Sequence, residues 1–186
     1  MKRFFDLILT FILLFVLILP MLFISIMIRT SSKGPVLHWS DRIGKDNAIF
    51  RMPKFRTMNE NTPQIATHLL ENPESFISPI GSFLRKSSLD ELPQLFSILK
   101  GEMSFVGPRP ALFNQDDLIS LRKKYKVDIL TPGLTGWAQI NGRDDLTILE
   151  KVKLDVEYLN NRSFYFDLKI MVDTIFIAVR SDGIRH

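Results

Sequence analysis

The sequence contains no cysteine, which excludes disulfide frameworks, thiol nucleophiles and cysteine-ligated zinc or iron–sulfur centres. Histidine is almost as scarce. His38, His68 and His186 are the only three, and they are too scattered for ligand spacing, so no histidine-rich metal site is expected. Neither GxxxxGK(S/T) nor GxGxxG occurs, leaving a P-loop nucleotidase and a Rossmann cofactor site without support. No repeat, low-complexity tract or long linker interrupts the 186 residues. With 46% apolar and 24% charged residues, neither a disordered chain nor a polytopic bundle fits.

The net charge is +4, and its placement matters more than its size. Residues 33–58 hold six basic residues (Lys33, Arg42, Lys45, Arg51, Lys54, Arg56) against Asp41 and Asp46, so the remainder of the chain balances. A local basic excess suits a phosphate-rich ligand or an anionic membrane surface, although a solvated basic face has the same composition.

One long apolar run is present. From Leu7 to Ile28 only Thr10, Pro20 and Ser25 are not apolar, and these 22 residues would make a helix roughly 33 Å long, enough for a bilayer core of about 30 Å. No small-residue cleavage site follows, so the run reads as a retained anchor rather than a signal peptide. Lys2 and Arg3 precede it while Arg29 and Lys33 follow, which gives no charge bias to orient a span. Pro20 forces a bend. A re-entrant helix over residues 1–29, returning at Pro20 to the face it entered, keeps both basic flanks on one side. A single spanning helix with a tolerated proline is the alternative.

Residues 30–186 read as one globular domain, which makes the fold class α+β and mainly helical. Val36 to Trp39 and Ala48 to Met52 suggest a small hairpin joined around Gly44. Loops and a short helix are expected over residues 60–80. Amphipathic helices are expected over Asp116 to Tyr125 and Leu146 to Leu159, with an irregular glycine-rich stretch over Thr131 to Arg143. A last helix, from about Phe166 to Val179, is too short and too charged to span; it belongs in the core or on the membrane surface.

The stretch Ser88-Leu89-Asp90-Glu91-Leu92-Pro93-Gln94-Leu95 is the most informative. Leu92, Leu95, Phe96 and Leu99 form a helical apolar stripe, ended by Lys100 and Gly101. Asp90 as N-cap would place Pro93 third in the helix, where its missing N–H is harmless. Two adjacent carboxylates at a helix N-terminus are held ionised. An ionised aspartate can attack phosphorus, and a neighbouring glutamate can hold Mg²⁺, although plain capping gives the same pattern. Lys54 and Arg56 could share a strand face, Arg85 lies five residues before Asp90, and Pro108-Arg109-Pro110 fixes the direction of an arginine suited to phosphate. Arg143 is presented by an irregular loop.

Together these stretches resemble the small monotopic phosphoglycosyl transferases, the bacterial sugar transferase family. The resemblance runs in order through the proline-broken helix, Lys54-Phe55-Arg56-Thr57-Met58, the Ser88–Leu95 stretch, Gly101-Glu102-Met103-Ser104-Phe105-Val106-Gly107-Pro108-Arg109-Pro110, Pro132 to Arg143, and Asp167-Leu168-Lys169. It implies a re-entrant membrane helix followed by one compact cytoplasmic domain with interfacial amphipathic helices, at the bacterial inner membrane. The implied activity is transfer of a sugar-1-phosphate from a UDP-sugar to undecaprenyl phosphate, releasing UMP, through a covalent intermediate on Asp90. Glu91 would help hold Mg²⁺. Lys54, Arg56, Arg85, Arg109 and Arg143 would neutralise the diphosphate or orient the acidic pair, with Pro108, Pro110 and Gln139 also at the substrate and Asp167 behind them as partner of a basic residue. The expected partners are the two substrates and the bilayer. A homodimer is compatible with this, and no nucleic acid is expected. Leu19 precedes Pro20 where family members of this size often have serine.

Overall fold

The computed structural model describes residues 1–59, 62, 76–142 and 145–180. Its first element, α1 (Lys2–Ser31), is a 30-residue helix with Pro20 in its interior. Its most apolar window has a mean hydropathy of 3.2 and is only 11% buried, so α1 is long and apolar enough to cross a membrane. Helical geometry continues on both sides of Pro20.

Both ends of α1 are fastened to the same domain. At the start, Lys2 Nζ donates to Val106 O (3.0 Å) and pairs with Asp167 (2.5 Å), and Arg3 donates to the carbonyls of Ile98 and Leu99. Asp6, buried in this otherwise apolar helix, accepts from Ser104 Oγ at 2.9 Å. At the far end Ile24 and Ile28 pack with Phe55, Ile80 and Leu84. Between these attachments Phe15, Val16, Leu19, Leu22 and Phe23 are exposed.

A hairpin follows, with β1 (Leu37–Ile43) antiparallel to β2 (Ile49–Phe55) and His38 opposite Lys54. Both strands extend beyond the ranges expected from sequence. The link is a compact turn in which Gly44 N–H meets Ala48 O at 2.7 Å, so pairing runs outward through Ser40, Asp41 and Arg42, which look loop-like by composition. After α2 (Gly81–Lys86) comes a single 3₁₀ turn, Leu89–Glu91, entered through Ser88 at φ 55°. Helix α3 (Gln94–Lys100) starts only after Pro93. Asp90 is therefore not the N-cap of α3, contrary to the sequence expectation. Pro93, which has no N–H to give, sits at the boundary itself, and the acidic pair belongs to the turn before it.

Two short strands escape periodicity altogether. β3 (Ser104–Val106) pairs in parallel with β4 (Gly133–Thr135) inside the stretch expected to be irregular. The remaining helices are α4 (Asp116–Lys124), α5 (Trp137–Ile140), α6 (Ile148–Asn161) and α7 (Phe164–Arg180). α6 begins with a Thr147–Glu150 capping box, which satisfies two N–H groups reciprocally. Leu95, Ile98, Phe105, Val106, Tyr158 and Ile170 make the main core, joined by Met52 from the hairpin. α7 buries Ile170 and exposes Ile175 and Phe176, dividing that helix between core and surface. The result is a mainly helical α+β domain with a small hairpin and an apolar N-terminal helix. Most of residues 60–80 lie outside the described residues.

Candidate active site

The 3₁₀ turn aims its two carboxylates at β2. Glu91 Oε1 accepts from Lys54 Nζ at 2.7 Å and from Arg109 Nη2 at 3.1 Å. Lys54 also lies 3.9 Å from Asp90 Oδ2, and Arg85, whose Nε donates to Thr57 Oγ1, is near enough to act on Asp90 by its charge. Five residues singled out in the sequence, Lys54 of β2, Arg85 of α2, Asp90 and Glu91 of the 3₁₀ turn and Arg109, thus converge.

Their electrostatics divide the pair. Burial alone would raise Glu91, but the charges and hydrogen bonds of Lys54 and Arg109 outweigh it and hold this carboxyl well below the usual glutamate range. Asp90 goes the other way. Burial raises it, Lys54 opposes that, and Glu91 adds to it. Glu91 is therefore the fixed negative charge, and Asp90, with Lys54 farther off at 3.9 Å, is the carboxylate with the more basic oxygens. That combination suits a nucleophile better than the helix-dipole stabilisation expected from sequence.

Arg109 is delivered by the Gly107-Pro108-Arg109-Pro110 turn, which is built against β4. A Cβ on Gly133 would lie 2.1 Å from Gly107 N, and one on Gly107 would lie 2.3 Å from Thr131 O, so only glycine permits this backbone approach. Gly133 N–H donates to Pro108 O at 2.9 Å, locking the turn to the strand.

Other expected residues sit elsewhere. Arg56 is buried, and its guanidinium donates to Lys33 O (2.6 Å), Ser32 O (3.0 Å) and Ser32 Oγ (2.8 Å), so it fastens the exit of α1 rather than lining the acidic pair. The cause is register: Lys54 is the strand residue facing the turn, whereas Arg56 lies past the end of β2 and closes toward Val36. Gln139 Nε2 donates to Leu134 O, bracing β4 against α5. Asp167 does partner a basic residue, but that residue is Lys2 of α1, with Tyr158 OH donating to the other carboxylate oxygen at 2.7 Å. Arg143 lies outside the described residues.

Three further positions matter here: Arg42, marked in the sequence only as one member of the basic excess, and Arg122 and Asp155, which no motif marked. Arg42 sits on the same hairpin face as Lys54 and donates to Pro110 O at 3.2 Å; burial first, then Arg109 beside it, lowers its pKa to about 10. Strand alternation from Lys54 through its partner His38 would have found it. Arg122 donates to Arg109 O at 2.8 Å and pairs with buried Asp155. Their signal was an aspartate in the apolar stripe of α6, between Val152 and Tyr158. Among the described residues no cluster of three or more metal-ligating side chains occurs. A magnesium ion fits this donor set nonetheless, since it commonly takes one or two protein carboxylates and completes its shell with water and substrate phosphate.

Comparison with known proteins places the chain in a family. A sugar transferase of Bacillus subtilis (strain 168), EpsL, described as uncharacterized, is 38% identical over 186 residues, covering the whole of this chain and 91% of its own length. The UDP-glucose:undecaprenyl-phosphate glucose-1-phosphate transferase of Escherichia coli (strain K12) is 38% identical over 95% of this chain. The UDP-N-acetylgalactosamine-undecaprenyl-phosphate N-acetylgalactosaminephosphotransferase of Aeromonas hydrophila is 35% identical over 89% of it. The chain spans only 39% and 40% of the length of these last two. The bacterial sugar transferase profile matches residues 1–181, and the chain belongs to that family.

Proposed function

We propose that this protein is a phosphoglycosyl transferase that moves a sugar-1-phosphate from a UDP-sugar to undecaprenyl phosphate. The observation that carries this reading is the acidic pair of unequal character, in which Glu91 is neutralised by Lys54 and Arg109 while Asp90, more basic, has Lys54 at 3.9 Å. In the first step an Asp90 carboxylate oxygen bonds to the β-phosphorus, and the bond from that phosphorus to the bridging oxygen breaks. UMP leaves with the electron pair. In the second step a phosphate oxygen of undecaprenyl phosphate bonds to the same phosphorus, the aspartyl–phosphorus bond breaks, and the Asp90 carboxylate is restored. Phosphoryl transfer needs positioned positive charge more than acid–base groups, and Lys54, Arg85 and Arg109 provide it at three sides of the pair. When bound, Mg²⁺ would be held by Glu91 and would add charge neutralisation at the diphosphate.

The proposed membrane arrangement draws on how α1 is held. A helix whose first residues bond to Val106 and Asp167, and whose last turn packs on Phe55 and Leu84, has both ends on one domain. Two attachments on one domain support a re-entrant helix that stays on one membrane face rather than a span, and the catalytic domain is proposed to lie on the cytoplasmic face of the inner membrane. An apolar cleft of about 370 Å³ between α1 and the site, lined by Leu14, Ile18, Met21, Phe55, Pro93 and Phe96, suits the lipid chain of the acceptor.

Intact-protein mass tests the covalent route. Wild type incubated with Mg²⁺ and UDP-glucose, UDP-galactose or UDP-N-acetylgalactosamine, without lipid, is expected to gain a phosphosugar and release UMP, whereas Asp90→Asn does neither. UMP release only when undecaprenyl phosphate is also present would replace the two-step route by direct displacement.

A further inference from the structure

The turn that carries Arg109 is held by its carbonyls. Prolines at 108 and 110 remove two of its N–H donors, so outward-facing oxygens are the available handles. Three consecutive carbonyls are taken: Pro108 O by Gly133 N–H, Arg109 O by Arg122 Nη1 (2.8 Å) and Pro110 O by Arg42 Nη1 (3.2 Å). The middle grip is the elaborate one. Arg122 comes from α4, and Nε and Nη2 both bond Asp155 Oδ2 of α6, at 2.9 and 2.8 Å. Asp155 is 2% exposed and the Arg122 side chain 12%.

Helix packing does not require such a pair. Apolar residues of similar volume commonly stabilise a helix interface as well as a buried ion pair or better, because both charges must be desolvated. Here burial drives the Asp155 carboxyl upward even with Arg122 against it. What the pair does that leucines could not is present a fork of fixed direction whose remaining donor meets the carbonyl of Arg109 itself.

We infer that Arg122, oriented by Asp155, is a positioning residue that sets the direction in which Arg109 meets Glu91 and the diphosphate of the donor. The inference rests on the proposed role of Arg109 in donor binding. Arg122→Lys separates it from simple stability. Lysine keeps a positive charge for Asp155, yet one ammonium lacks the fork that serves a carboxylate and a carbonyl at once.

The experiment measures UDP affinity in the presence of Mg²⁺ by calorimetry, on the full chain in lipid nanodiscs, together with melting temperature. Arg109→Ala should weaken UDP binding. Arg122→Lys should weaken it by about tenfold, the scale of one charge-assisted hydrogen bond, with little change in melting temperature. In the Arg109→Ala background, Arg122→Lys should cost nothing further, because the residue it positions is gone. Asp155→Asn is the second variant should the lysine protein melt early; its smaller effect should vanish in the same background. An equal loss in both backgrounds, or wild-type affinity in both Arg122→Lys and Asp155→Asn, would overturn the inference while leaving the site intact. Wild-type affinity in Arg109→Ala would instead overturn the assignment of Arg109 as a donor ligand.

Discussion

Glu91→Gln isolates the charge at the centre of the site. Glu91 Oε1 lies 2.7 Å from Lys54 Nζ and 3.1 Å from Arg109 Nη2. With an effective dielectric near 20, the two gross attractions are about 6 and about 5 kcal/mol. Most of that offsets the cost of burying the carboxylate. Arg109 is 38% exposed and is further discounted by solvent, and Lys54 keeps Asp90 as a second partner at 3.9 Å. A net loss of about 2–3 kcal/mol at pH 7 is expected, or roughly 4–10 °C in melting temperature for a chain of this size.

The sign with pH follows from the depressed folded value. Stability contributed by an ionised Glu91 is fully present above the ordinary glutamate value of 4.5 and is lost as pH falls below it, when the unfolded chain takes up a proton that the folded chain refuses. The loss is about 1.4 kcal/mol per pH unit. Wild type and Glu91→Gln should therefore differ at pH 7 and nearly coincide by pH 3. Melting curves at a series of pH values check this. A gap that is the same at pH 7 and pH 3, or a variant as stable as wild type at pH 7, would refute the assignment of Glu91 as the fixed charge.

Gly133→Ala is expected to cost about 3 kcal/mol or more and to abolish donor use, since its Cβ would meet Gly107 N at 2.1 Å and Thr135 O at 2.3 Å and must push β4 away from the Arg109 turn; unchanged melting and turnover would contradict the backbone contact. Cysteines placed at positions 2 and 33, in a chain that has none of its own, should both react with an impermeant reagent from the same membrane face. Labelling from opposite faces would establish a span and end the re-entrant reading.

What could be read from the sequence was whatever local periodicity or rigid chemistry encodes. α1 is a continuous apolar run, α4, α6 and α7 carry apolar faces, and their ends fall within a few residues of expectation. Lys54, Arg85, Asp90, Glu91 and Arg109 lie in segments bounded by proline or strand alternation, so their convergence needed only the fold to close. The misses share one cause. β3 and β4 have three residues each, too few for a period, and they exist because two glycines let backbones touch. The Lys2–Asp167 contact spans 165 positions and Arg42–Pro110 spans 68, separations that no local pattern carries. Arg56 illustrates the limit from the other side, because its residue type suited phosphate, while its place beyond the end of β2 gave it to the carbonyls of Ser32 and Lys33.

These long-range contacts tie the anchor to the chemistry. Lys2 bonds the carbonyl of Val106 and Asp6 receives the hydroxyl of Ser104, so the first turns of α1 grip β3, whose next residues are Gly107, Pro108 and Arg109. The last turn of α1 packs on Phe55, the neighbour of Lys54, and Arg56 closes that end. The two cations that hold Glu91 are thus each within a few residues of an attachment point of the membrane helix. In the proposed function a soluble donor and a lipid acceptor share one nucleophile, which must then sit at a defined depth. On that reading, fastening both ends of α1 beside Lys54 and Arg109 would set the depth and the charge of the site with the same contacts. The polar residues Lys2, Arg3 and Asp6, costly at the edge of a bilayer when unpaired, are retained at the start of an otherwise apolar helix because each finds its partner on the domain that it positions.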